Sequence, residues 1–227
     1  MNMSNLISVI MPVKDASNTL KDSIESVLKQ TYKDFEFLIL DDFSLDSSME
    51  IIQRYKELDS RIKVFKNKKN LGLTKSLNKL ISKSCGNFIA RQDADDISLT
   101  TRFEKQVSTL LNSDYKFVVS RAKSLQSNEL IPKFSYYLPD RLVANYKNPF
   151  IHGSLMINKK TLLHVNAYDE NYYYSQDYEL FRRLMSKKVR YKYIKEPLYI
   201  LNTINNISSL HHEEQKNYFN LARRKKY

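Results

Sequence analysis

Glycine is scarce in this chain: Gly72, Gly86 and Gly153 are the only three among 227 residues. Phosphate loops of the dinucleotide and Walker kinds need closely spaced glycines so that backbone amides can approach the phosphate. None of these three are neighbours, so any phosphate the chain holds must be held another way. Cysteine is scarcer still. Cys85 stands alone, which excludes a disulfide framework and a cysteine-built zinc site and suits a reducing compartment. Long apolar runs are also missing. The run from Leu6 to Met11 stops at Pro12, lacks a basic leader and is too short for the apolar core of a signal peptide. No stretch approaches the roughly 18 apolar residues that a bilayer span requires. These absences predict a cytoplasmic protein.

What is present fits a globular chain: 42% hydrophobic and 27% charged residues, at a length that suggests one domain with an elaborated end. Lysine and arginine total 37 against 25 acids, a net charge of +12. Such a balance favours polyanions (nucleic acid, an anionic membrane face, phosphorylated small molecules), or is simply a solvated lysine-rich surface. The densest basic cluster is Arg223-Arg-Lys-Lys226.

Apolar runs at Leu6–Met11, Phe35–Leu40, Ile62–Phe65, Phe88–Ala90 and Phe117–Ser120 read as strands. Helical spacing falls between them. Leu20, Ile24 and Val27 follow a cap at Ser17 or Asn18, and Ser47 with Glu50 and Thr101 with Glu104 form capping boxes. Another helix is expected from Thr74 to Ser84. The alternation predicts an α/β fold, a mostly parallel sheet with helices on both faces. Beyond about residue 121 the regularity fails, leaving a strand near Leu155–Ile157, a helix over Gln176–Ser186 and a basic tail helix. A single domain is expected: a nucleotide-binding half to about 121, a substrate-shaping half to about 205, and the C-terminal helix over 206–227.

In open α/β sheets, ligands bind beyond the carboxyl ends of the strands. Here those ends carry Asp15, Asp41-Asp42, and Asp93, Asp95 and Asp96. Aspartate is also a common turn residue, but three acid-bearing strand ends would share one rim. The Asp93-Ala-Asp95-Asp96 cluster is repulsive unless a cation relieves it. A hard divalent ion, Mn²⁺ or Mg²⁺, suits such oxygen ligands. It would bridge the acids to a diphosphate in place of a glycine loop and neutralise charge on a departing diphosphate.

Several segments together resemble the family-2 glycosyltransferases of the GT-A fold. They are Ile7-Ser-Val-Ile-Met-Pro12, Gln30–Phe37, Leu40-Asp-Asp-Phe-Ser44, Asn70-Leu-Gly72 with Leu77-Asn78, and Ala90–Ile97. The similarity continues through Phe103–Gln106, Asn148–Ser154, Tyr168-Asp-Glu170 and Gln176–Leu180, in family order over about residues 6 to 200. The resemblance implies that Asp42 contacts the nucleotide base, with Pro12 and Asp15 lining that pocket. Asp93 would lie near the ribose and Asp95 would be the principal metal ligand. Asp177 matches the general base of inverting members, preceded by Gln176 where the family usually has Glu. His152 falls where the family often has a residue near the acceptor sugar, and Lys75 is placed to meet a phosphate.

Chemistry gives Asp177 independent sense. An in-line displacement at an anomeric carbon needs a base opposite the leaving group, on a different element from the metal acids; alone, an acid at a helix start also serves the helix dipole. One departure concerns the C-terminal region. Many relatives carry Arg and His before a Ser-Ile-Ser segment, whereas this chain reads Leu201–Ser208 with neither, leaving His211 or His212 to fold back. The resemblance thus implies metal-dependent inverting transfer from a nucleotide-diphosphate donor, a UDP-sugar, to a hydroxyl of a glycan or lipid-linked acceptor. Polysaccharide or lipopolysaccharide synthesis would be its use. The protein would touch the inner membrane leaflet peripherally, with the tail helix (Leu210, Tyr218, Leu221) as docking element. Two other classes use parts of the same pattern. A phosphoacceptor signalling domain needs an acid after its third strand, where Lys66-Asn67-Lys68 stands. A nucleic-acid binder would meet repulsion from the acidic rim, so no nucleic-acid partner is expected.

Overall fold

The computed structural model describes residues 5–204 and 212–225. Its first strands are β1 (Ile7–Val13), β2 (Phe35–Asp41), β3 (Ile62–Lys66) and β4 (Phe88–Arg91), paired in parallel in the order β3-β2-β1-β4. All seven residues of β2 and six of seven in β1 are buried, as both faces of a central parallel strand must be. Successive side chains point to opposite faces. Ile7, Val9, Met11 and Val13 meet α1 (Leu20–Leu28), α2 (Ser48–Leu58) and α4 (Arg102–Leu111). Ile10, Leu38 and Leu40 meet α3 (Leu73–Lys83) and α7 (Gln176–Ser186) on the other face.

Beyond β4 the sheet continues in an order that alternation did not foretell. The short β8 (Met156–Asn158) lies antiparallel between β4 and β6 (Phe117–Ser124), so the fourth and fifth predicted strands are not neighbours. β6 runs through residue 121, and both halves of the chain share one sheet. β9 (Tyr191–Leu201), eleven residues long and partly exposed, pairs in parallel with β6 and antiparallel with the two-residue β5 (Ile97–Ser98). β7 (Leu130–Ile131) hangs from β6. α5 (Asp140–Val143) and α6 (Lys159–His164) are short, and α8 (His212–Arg224) closes the chain.

Thr19, rather than Ser17 or Asn18, is the N-cap of α1; Ser47 and Thr101 are the N-caps of α2 and α4 as expected, but neither side chain makes a capping hydrogen bond. Asp46 accepts instead from the Ser17 and Ser48 amides at 2.8 and 2.9 Å, tying α1 to α2. Glu104 accepts from the Thr31 hydroxyl at 2.8 Å. Asp46 thus takes one donor two residues on and one from distant Ser17, and Glu104 takes its donor from across a loop. The tail helix also differs from expectation. Phe219 stacks on Tyr178 of α7 at 4.2 Å, Tyr218 packs against Tyr172 and Tyr174 in the loop before α7, and Ala222 is buried. Leu221 is exposed, and Leu210 lies outside the described residues. The aromatic face of α8 is therefore spent on the protein itself.

Candidate active site

A cleft of about 880 Å³ opens beyond the carboxyl ends of β1, β2 and β4. Pro12, Asp15, Asp42, Asp93 and Asp95 line its nucleotide side, and His152, Gln176 and Asp177 line the other. Eight of the residues singled out in the sequence thus share one cavity. Lys75 does not: its neighbours Thr74 and Ser76 face inward on α3, which turns the Lys75 side chain out to solvent. His211 lies outside the described residues, as does the side chain of His212.

The acidic strand ends differ in what holds them. Asp42 is buried, and its Oδ1 accepts from Asn67 Nδ2 (2.8 Å) and the Leu71 amide (2.9 Å). Its Oδ2 accepts from the Gly72 amide at 2.8 Å. Gly72 is the N-cap of α3 at φ 85°, so the carboxylate also sits at the positive end of that helix. One of its roughly four acceptor sites remains for a ligand. A Cβ on Gly72 would fall 2.5 Å from the Tyr173 ring, which closes over this turn. Asp15, at φ 48°, accepts from Lys14 Nζ and from the Leu45 amide, and these hold its carboxyl below the usual range. Asn67, which follows β3 where a phosphoacceptor acid would stand, is used to fix Asp42.

The turn after β4 is built from beneath. Gln92 donates through Nε2 to the Asp93 and Asp96 carbonyls (3.1 and 2.9 Å) and to Ser23 Oγ; its Oε1 accepts from Ser98 and from Arg102. Ser23 donates to the Asp93 carbonyl at 2.7 Å. The Tyr199 hydroxyl accepts from the Asp93 amide at 3.1 Å, and the Asn202 amide donates to Asp96 Oδ1 at 2.7 Å. Tyr199 comes this close only because residue 153 is glycine; a Cβ there would lie 2.5 Å from the hydroxyl.

The backbone of this turn is held firmly, but of its three carboxylates only Asp93 is paired with a cation among the described residues. Arg91 reaches Asp93 Oδ1 at 2.5 Å, and the buried Arg91 Nε has no partner. Burial and the Asp93 charge push Asp95 up to about 6. Burial, then Asp93 and Asp95, push Asp96 well above the carboxylate range. Arg102, wholly buried and brought down to about 10 by desolvation, remains charged behind the turn. These all-oxygen donors, with charge to spare, fit a hard divalent cation. Among the described residues no group of three or more His, Cys, Asp or Glu is arranged to hold a metal ion. A site in which phosphate and water supply most of the ligands needs only one or two carboxylates from the protein.

Asp177 stands in the first turn of α7, after Ser175 at φ 53°. Burial raises its carboxyl, the Asp93 charge adds to that, and Asn148 Nδ2 donates to Oδ2 at 2.7 Å. His152 bonds Tyr168 through Nε2 at 2.7 Å, and burial and Arg91 keep the ring neutral. Sequence reasoning did not single out Arg91, Asn148, Gly153 or Tyr199 for the site. Arg91 and Asn148 lie inside segments that were noted, whereas Tyr199 belongs to a strand with no clean alternation.

Acids of two opposed elements across a cleft at the strand ends, in a sheet of this order, define a glycosyltransferase of the GT-A type. Similarity to known proteins agrees. The glycosyl transferase family 2 model matches residues 8–190, and the chain belongs to that family. It is 33% identical over 191 residues to the Escherichia coli O-antigen biosynthesis glycosyltransferase WbnJ, covering 81% of this chain and 73% of that one. It is 33% identical over 185 residues to the E. coli UDP-Glc:alpha-D-GlcNAc-diphosphoundecaprenol beta-1,3-glucosyltransferase WfgD, covering 79% and 70%. Among solved structures it superimposes on the Pyrobaculum calidifontis mannosyltransferase PcManGT, crystallised with GDP-Man and Mn²⁺, with a TM-score of 0.76 at 16% identity. That match covers 97% of this chain and 65% of the solved one, so this chain spans a little under two thirds of the mannosyltransferase. Among the described residues no helix is long and apolar enough to cross a membrane.

Proposed function

We propose that this glycosyltransferase moves a sugar from a nucleoside-diphosphate donor, a UDP-sugar, to a hydroxyl of a glycan or lipid-linked acceptor, with inversion and with a divalent cation. Polysaccharide or lipopolysaccharide assembly at the inner membrane face is the use that the names of WbnJ and WfgD support. One observation carries the reading. The Asp93–Asp95 turn and Asp177 come from different elements, share one cleft, and are close enough for the Asp93 charge to raise Asp177.

The roles follow from what each group can do. Asp42, Pro12 and Asp15 form the nucleotide end, where the one remaining acceptor site of Asp42 can take a base N–H. Asp95, with Asp93, would hold Mn²⁺ or Mg²⁺, which when bound stabilises negative charge on the diphosphate. Asp177 removes the proton from the acceptor hydroxyl. Its raised carboxyl makes it a stronger base than an exposed aspartate, and Asn148 fixes its orientation. Gln176, buried beside it and lining the cleft, is polar without adding a second charge. Neutral His152, bonded to Tyr168, shapes the acceptor side.

The test is thermal unfolding against a panel of nucleotide sugars with and without Mn²⁺. One donor class should stabilise the protein only when the ion is present, by about 2.7 kcal/mol at a hundred times its dissociation constant. No response to any donor from folded protein would overturn the reading. Asp177→Asn should keep that donor response while transfer stops.

A further inference from the structure

Away from the cleft, residues 130–147 carry an unusual share of exposed apolar surface. Phe134, Tyr137, Leu138, Leu142 and Tyr146 are 86, 76, 56, 57 and 81% exposed. The segment is not loose. Tyr136 packs edge-on against Tyr193 at 5.0 Å beneath Arg121, Tyr191 donates to Asp140 at 2.6 Å, and Val143 and Ala144 are buried. Those anchors point inward and leave the five apolar side chains on the outside. Patches of this kind on a soluble surface mark contact sites.

The charges around the segment indicate what it touches. Arg141 and Lys147 are interleaved with the apolar residues and exposed; Lys133, also exposed, pairs with Glu129 at 2.8 Å, and the sole acid within the segment, Asp140, is bound to Tyr191. The fold adds the basic tail: Arg223 Nη1 donates to the Asn145 carbonyl at 3.3 Å, which brings the Arg223 end of α8 to the residue before Tyr146. A second copy of the chain meeting this face by two-fold symmetry would set like charges against each other. Amphipathic aromatics among cations match the interface of an anionic bilayer instead. The face also adjoins the cleft, since Asn148, one residue past Lys147, holds Asp177.

We infer that the 134–146 segment, together with Arg141, Lys147 and the Arg223–Arg224 end of α8, is a docking surface for an anionic lipid bilayer. It sets the Asp177 side of the cleft near the membrane. The inference moves the contact from the tail helix alone, whose aromatic face is half-buried against the protein, to a surface that the tail only borders. It deepens the lipid-linked-acceptor reading given above but is tested without acceptor or donor.

The experiment is co-sedimentation of the full chain with vesicles of phosphatidylcholine alone or with about one third phosphatidylglycerol. Binding to the anionic vesicles is expected, weakening as salt shortens the reach of charge. The exposed triple variant Phe134→Ser/Tyr137→Ser/Tyr146→Ser should bind at least about tenfold more weakly, as should Arg141→Glu/Lys147→Glu. Leu58→Ser, exposed on α2, should bind as the parent does. Equal binding by the triple variant and the parent overturns the inference, as does failure of the parent to bind anionic vesicles. So does a triple variant whose only change, by sedimentation velocity, is loss of self-association. A nucleotide-sugar thermal shift retained by the triple variant separates failure of docking from failure of the enzymatic reading.

Discussion

Asp42 and Asp95 stand at equivalent places, each just past the carboxyl end of a parallel strand, yet the protein treats them in opposite ways. Asp42 is met by an asparagine amide, two backbone amides and a helix N-terminus, all supplied by the chain. Asp95 is partly buried next to Asp93 with a carboxyl pushed up to about 6. A carboxylate satisfied from within is mainly scaffold; one kept under repulsion has stabilisation left to gain from an incoming cation. The contrast separates residues that build the cleft from residues that wait for a ligand.

The largest effect should come from the waiting residue. Asp95→Asn should lower turnover by about 10³-fold or more and remove the metal-linked rise in melting temperature. The ligand-free variant should be more stable than the parent at neutral pH, by about 1–3 kcal/mol, because the folded carboxyl is raised above its unfolded value. The sign sets the pH dependence. A raised acid penalises the fold as pH climbs from about 4 through 6, so the parent should gain stability on acidification through that window, and Asp95→Asn should gain less, keeping only the share of Asp96 and Asp177. Over the same window protons displace the cation, and metal-dependent donor binding should weaken below about pH 6. Denaturant titrations at several pH values, with and without Mn²⁺, measure both. A loss of stability in ligand-free Asp95→Asn would erase the contrast.

Asp42→Asn should do the reverse. The new amide would face an N–H with another N–H, and the Asn67–Gly72 turn would lose a charged acceptor, at a cost of about 2–4 kcal/mol in stability. Donor binding should weaken as the base loses an acceptor, but its dependence on Mn²⁺ should persist in the folded fraction. Intermediate between the two is Gly153→Ala. Its Cβ must displace the Tyr199 hydroxyl, which accepts from the Asp93 amide, so about 1–3 kcal/mol of overpacking should appear together with weaker metal affinity. Urea midpoints read the first and Mn²⁺ titrations with donor present read the second.

The same contrast explains how far the sequence was legible. β1, β2 and β4 are runs buried on both faces, and their terminal acids fall in register at one rim, so strand ends and acids could be read together. The two roles of those acids could not. Nothing local to Asp42 announces that Asn67 and the Leu71 and Gly72 amides will surround it, because that depends on β3 and α3 folding back. Nor does Tyr199 announce itself: β9 lacks clean alternation, and its hydroxyl reaches the acid turn from 106 residues away. The insertion of β8 between β4 and β6 was hidden for a similar reason. Three residues carry too little pattern to reveal a partner, and their place is set by the sheet that they complete.

The smallest expected effect concerns Lys75, and it sharpens the contrast because charge alone would give a different answer. A lysine three residues past Gly72, in a protein of net charge +12, invites a phosphate-binding role. But α3 buries Thr74, whose hydroxyl donates to the Tyr172 carbonyl at 2.6 Å, and Ser76, whose Oγ accepts from Asn67. With residues on both sides turned inward, the helix carries Lys75 away from the cleft. Lys75→Ala should therefore change donor affinity by less than about twofold and stability by less than about 0.5 kcal/mol, the range of an ordinary surface substitution. Donor titration by calorimetry in the presence of Mn²⁺ decides it. A tenfold loss of affinity would mean that the first turn of α3 rotates when donor binds, and that the Asp42 scaffold is less fixed than its three hydrogen bonds require.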